Sequence, residues 1–82
     1  MIEPHILDAL QDRMGAAQKR YGHFASSHEA LGAACEEWHE LIDAVRSNRL
    51  ADVASECLDL AAVCLRLAQD VGRLETANRS VK

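Results

Sequence analysis

Apolar residues recur at three- and four-residue intervals along most of this chain, and no stretch alternates with period two. The pattern predicts helices and no strands. A first helix is expected from near Glu3, with Pro4 at the first helical position, where a missing N–H costs nothing. Ile6, Leu7, Leu10, Met14, Ala17 and Tyr21 follow at helical spacing, and Gly22 is a natural terminator. Gly22 to Ser27 reads as a loop. Ser26-x-x-Glu29 then forms a capping box, in which each side chain satisfies an orphan amide at the helix start. The second helix runs to about Ser47. Asn48 is expected to cap a third helix, with Asp52 in its first turn favoured by the helix dipole. That helix should run to about Val71, with Gly72 breaking it before a short last segment from Leu74 to about Arg79.

The apolar stripes predict the core. On helix two the stripe is Leu31, Ala34, Cys35, Trp38, Leu41, Ile42 and Val45, with Trp38 at its centre as a packing residue. On helix three it is Leu50, Val53, Cys57, Leu60, Cys64, Leu67 and Val71. Leu58, Ala62 and Leu65 point away from that stripe, which makes helix three apolar nearly all round, the mark of a helix buried on every side. A chain of 82 residues cannot supply that burial alone. The expected fold is therefore all-α: one domain over residues 1–82, an antiparallel bundle of three to four helices completed by homo-oligomerisation, with Leu58, Ala62 and Leu65 at the subunit contact.

Charge and composition exclude several partners. A net charge of −4 and a pI near 5.4 speak against nucleic acid, whose phosphates demand a basic face. No apolar run approaches a membrane span and no signal peptide is apparent, so a cytoplasmic location is expected. The three cysteines have no CxxC spacing, and Cys57 and Cys64 read as small buried hydrophobes in a reducing compartment.

The candidate chemistry lies in two acidic doublets, Glu37-x-x-Glu40 and Glu56-x-x-Asp59. Within the run from Cys57 to Leu65, Asp59 is the only polar residue. Spacing of i, i+3 points both carboxylates of a doublet at one patch. The short turn between the helices makes them antiparallel neighbours. Glu40 and Glu56 each lie eight positions from Asn48, and Glu37 and Asp59 eleven, so the doublets should face each other. Four converging carboxylates repel unless a cation lies among them, and all-oxygen donor sets suit hard divalent ions. Mg²⁺ is the expected cofactor, with Mn²⁺ as a possible substitute.

These motifs carry a family resemblance. Glu36-Glu37-x-x-Glu40-Leu41, a short turn and Glu56-x-x-Asp59-Leu60 resemble the MazG-like all-α nucleoside triphosphate pyrophosphohydrolases. Tyr21-Gly22 leading into His28-Glu29-Ala30 is similar to short members of that group, and the likeness covers roughly residues 20 to 70. It implies a bundle of two or more chains, Mg²⁺, and cleavage of an NTP or dNTP to NMP and pyrophosphate. Glu37, Glu40, Glu56 and Asp59 would be metal ligands, and Glu36 could orient or deprotonate the attacking water. Asn78, Arg79 and Lys82 loosely resemble the family's basic segment for phosphate contact, although the chain is short there.

Other residues have plainer readings. Phe24, in the loop, is a candidate for touching a nucleobase, and His28 reads as a first-turn surface residue. Glu36-x-x-His39 matches half of a di-iron signature, but no second ExxH exists and this one projects away from the apolar stripe. The alternative of a different class is a non-catalytic oligomeric module whose acids bind a cation or a partner protein.

Overall fold

The computed structural model consists of three α-helices: α1 (Pro4–Tyr21), α2 (Ser27–Arg46) and α3 (Leu50–Val81). It describes the backbone of residues 1–81 and the side chains of residues 1–76. The described residues contain no strand. Pro4 opens α1 after Glu3. Gly22 closes it at φ 72°, a left-handed value that a glycine adopts without penalty, and donates its N–H to Gln18 O at 2.9 Å. At the start of α2, Ser26 Oγ accepts the Glu29 N–H at 3.1 Å. The Glu29 carboxylate reaches back to the Ala25 N–H at 3.1 Å, one residue beyond the capping serine.

Two boundaries differ from those expected. Asn48 does not cap α3; it sits at φ 56° and ends α2. Its N–H bonds to Val45 O at 3.1 Å and that of Arg49 to Ala44 O at 3.1 Å, the crossed pair of a Schellman turn. Asparagine is the residue after glycine that best tolerates this conformation. Arg49 instead precedes α3, its carbonyl accepting the Val53 N–H at 2.9 Å and its side chain pairing with Asp52 at 2.8 Å. The second correction is Gly72, which does not break α3. A single glycine costs a helix about 1 kcal/mol, too little to stop one that is otherwise continuous. At 32 residues, α3 is about 48 Å long and spans the molecule's 49 Å long axis.

Both α1 and α2 pack on α3, and not on each other. Arg13 lies against Ser55 and Asp59, and His23 against Asp70, so α1 runs the same way as α3. Ala30 packs on Val63 and Glu37 lies by Glu56, so α2 runs antiparallel to it. The core is small: Phe24, Ala30 and Val63, flanked by Ala33, Ala34 and Leu67.

The helix faces are rotated from the expected ones. Trp38 is 52% exposed, and Leu31, Val45, Leu50, Val71 and all three cysteines are exposed as well. Trp38 is thus no core residue of the single chain, and the cysteines are not buried. Ala62, expected at a subunit contact, is buried inside the chain, whereas Leu58 is half-buried and Leu65 exposed. The reason is steric. The chain uses alanines and Val63 where α2 and α3 approach, and Leu31, Trp38, Val45, Leu50 and Val71 are turned outward. The outward residues step by four, three and seven on α2 (Leu31, Cys35, Trp38, Val45) and in sevens on α3 (Leu50, Cys57, Cys64, Val71). Both are heptad seams.

A polar knot replaces part of the missing apolar core. Asp70 is 4% exposed and accepts hydrogen bonds from the Phe24 N–H at 2.9 Å and from His23 Nδ1 at 2.9 Å, with Arg73 at 3.6 Å. Burial alone would raise its pKa, but those donors and charges outweigh it and hold the carboxyl below the usual range. Arg73 also donates to Phe24 O. The loop between α1 and α2 is thereby tied to α3. Replacing Asp70 by Ala strands the buried Phe24 N–H and should cost about 3 kcal/mol in urea denaturation. Because the folded pKa is lowered, this contribution is present above the ordinary aspartate range and lost as pH falls through the folded value.

Candidate metal centre and its cavity

The rotation that turns the seams outward turns the acids inward. Glu37 projects from the middle of α2 toward α3, where Glu56 and Asp59 stand one helical turn apart. One oxygen from each of Glu37, Glu56 and Asp59 lies within 4.8 Å of the others. Glu37 Oε2 and Glu56 Oε2 are buried with no hydrogen-bond partner. Two orphaned carboxylate oxygens in one cluster are costly as they stand, and an all-oxygen donor set suits a hard divalent ion. The three carboxylates could hold a metal ion.

Electrostatics reports the same crowding. Loss of solvent, then the charges of Glu40 and Asp59, push Glu37 up to about 7. Glu56 is also raised, by loss of solvent first and then by Glu40, Asp59 and Asp52. Glu40 itself is exposed on α2, yet it bears on both neighbours. The four acids of the two doublets are thus brought together across the α2–α3 contact, Glu37, Glu56 and Asp59 most tightly.

One member of the site went unread in the sequence. Arg13 of α1 donates to Asp59 Oδ1 at 2.6 Å, to Ser55 O at 2.6 Å and to Ser55 Oγ at 3.1 Å. The only signal for it was position: a cation between Leu10 and Met14, on the edge of the α1 stripe. Arg13 lends partial neutralisation to the cluster from the opposite helix.

The acids open onto a cavity of about 700 Å³ in the cleft where α1 and α2 diverge over α3. Its wall includes Glu36, Glu37 and Asp59, three arginines (Arg13, Arg20 and Arg66), and the rings of Tyr21 and Phe24. Glu36 is exposed at this wall, and His39 is exposed on α2. Phe24 departs from expectation: it is a core residue, 5% exposed, with the Arg66 guanidinium 4.5 Å over its ring. That face is not free to stack on a base. His28 is exposed, as a first-turn residue should be. The side chains of Asn78 and Arg79, and all of Lys82, lie outside the described residues.

No protein-family model matches the chain, and neither a curated protein nor a solved structure matches it.

A pH dependence follows for the metal-free protein. Glu37's folded pKa lies above its ordinary 4.5, so the folded state holds a proton that the unfolded chain has released. Stability should fall as pH rises from about 4.5 to about 7, and Glu37→Gln should flatten that decline. Thermal melts in chelator across this range measure it; a stability that climbs toward pH 7 in wild type but not in Glu37→Gln would reverse the assignment.

Proposed function

We infer that this chain is a subunit of a divalent-metal-dependent nucleoside triphosphate pyrophosphohydrolase, cleaving an NTP or dNTP to NMP and pyrophosphate. The observation that carries the reading is the convergence of Glu37, Glu56 and Asp59 around two buried oxygens without partners, with Glu37 and Asp59 at the wall of a cavity of about 700 Å³. The resemblance of the two doublets to the MazG-like motif supplies the substrate class.

Glu37, Glu56 and Asp59 would hold Mg²⁺ or Mn²⁺, with Glu40 beside them. Bound there, the cation supplies positive charge to a substrate with about four negative ones and makes water a stronger acid at neutral pH. Glu36, exposed at the cavity wall, can take the proton of the water that adds to the α-phosphorus. The bond from that phosphorus to the α–β bridging oxygen breaks, and its electron pair leaves with pyrophosphate.

The outward seams support a homo-oligomer. Leu31, Trp38 and Val45 on α2 and Leu50 and Val71 on α3 are large, exposed and in heptad register, and a second copy presents the same seam in return. Light scattering should give a multiple of 9.0 kDa at micromolar concentration, and Trp38→Glu should shift it toward a monomer. A monomeric wild type would end this part of the reading.

Incubation with a panel of NTPs and dNTPs plus Mg²⁺ should release pyrophosphate and not inorganic phosphate. Glu40→Gln and Glu56→Gln should each cut the rate by orders of magnitude, since each removes charge from the cation's surroundings, while His39→Ala should change little. Mg²⁺ at a hundredfold excess over its Kd should stabilise the fold by about 2.7 kcal/mol. Asp59→Asn should abolish that shift. One observation favours a non-catalytic module instead: Arg13 already offers Asp59 a positive charge at 2.6 Å. Stabilisation by metal without turnover on any nucleotide would decide for that module.

A further inference from the structure

Arg66 poses a separate problem. It is 5% exposed, and no carboxylate among the described residues lies within 4 Å of its guanidinium. Its partners are neutral: Nη2 donates to Gly22 O at 2.9 Å, the Phe24 ring lies 4.5 Å beneath it, and Nε is buried without any partner. A buried cation is expensive unless an anion accompanies it, and a carbonyl and a ring face offset only part of that cost. Arg73, Arg49 and Arg13 all have carboxylates, and Arg20 is exposed beside Tyr21. Arg66 alone among these is both buried and unmatched.

It also lines the cavity onto which Glu37 and Asp59 open. Seven residues separate it from Asp59, two turns of α3, so both lie on one face about 10 Å apart along the axis. The cavity wall carries carboxylates at Glu29, Glu36, Glu37 and Asp59 and guanidinium groups at Arg13, Arg20 and Arg66, of which Arg66 is buried and has no carboxylate partner among the described residues. Phe24, Val63 and Ala62, which line the cavity together with Arg66, are buried. Tyr21 and Arg20, exposed at the rim, border the wider part.

We propose that Arg66 is an anion anchor that receives the terminal phosphoryl groups of the substrate, the part released as pyrophosphate, with the α-phosphorus toward the carboxylates. The substrate class rests on the hydrolase reading above; the anion site itself rests on the buried, unmatched guanidinium. A guanidinium fork suits phosphoryl oxygens, and the unpartnered Nε–H is a donor the protein itself does not use. A cation at the carboxylates and a polyphosphate tail at Arg66 would neutralise both together.

The probe is inorganic pyrophosphate titrated into the full chain in EDTA, followed by calorimetry and by the ¹⁵N–¹H signal of Arg66 Nε, assigned by its loss in Arg66→Lys. Wild type should bind, the Nε signal should move on binding, and Arg66→Gln should weaken affinity about tenfold or more. The wild-type Nε shift decides the question even where Arg66→Gln fails to fold. No pyrophosphate binding, or binding with an unmoved Nε signal, overturns the proposal. An equal Nε shift with a nucleoside monophosphate overturns the orientation. Glu56→Gln separates the two readings, because it should lose Mg²⁺-dependent turnover yet keep pyrophosphate capture in EDTA. Capture without turnover in wild type leaves the anchor standing and removes the hydrolase; turnover without capture does the reverse.

Discussion

Alanine at positions 30, 33, 34, 44 and 62 lets α2 and α3 lie close together, and the meeting of Glu37 with Glu56 and Asp59 depends on that approach. Small residues at the contact leave no depth for a large apolar core, and no large side chain among the described residues is fully buried. What fills the contact is partly polar. Glu37, Glu56 and Asp59 sit where a larger domain would place leucines. Leu31, Trp38 and Val45 on α2 and Leu50 and Val71 on α3 lie outside that contact and form the outer seams. Acids inside and hydrophobes outside are two results of one packing choice.

Such an arrangement needs compensating charge, and the chain supplies it from other elements. Arg13 reaches across from α1 to Asp59, so the first helix is docked by an ion pair and not by apolar area alone. At the other end, Asp70 gathers the loop amide of Phe24, His23 and Arg73. Between these two knots, the Glu37–Glu56 pair and Arg66 remain unmatched. Unsatisfied groups in a marginal fold are costly, and their concentration along one cavity distinguishes it from the rest of the surface.

The sequence carried the helices well because capping residues are local. Pro4, Gly22, Ser26 and Glu29 act on their own neighbours, so their roles could be read directly. Asn48 and Gly72 misled for the same local reason, since both residue types serve more than one backbone role and only the surrounding chain chooses. The doublets were legible through symmetry about the turn, a property of spacing. Which helix face is buried was not legible. Pattern reading places the largest apolar residues at the centre of the core, but here steric fit selected the alanines, rotating Trp38, Cys57 and Cys64 to the outside. Arg13 and Arg66 were invisible because their meaning depends on partners more than forty positions away.

The exposed cysteines carry a further consequence of that rotation. Cys57 and Cys64 lie one heptad apart on α3, about 10 Å along a rigid helix, beyond the roughly 7 Å that a disulfide can bridge. Oxidation of this pair cannot close a loop within the helix. A disulfide formed by either thiol must reach another helix or another molecule, and one between copies would fix the alignment of their seams as a covalent record of how the chains meet.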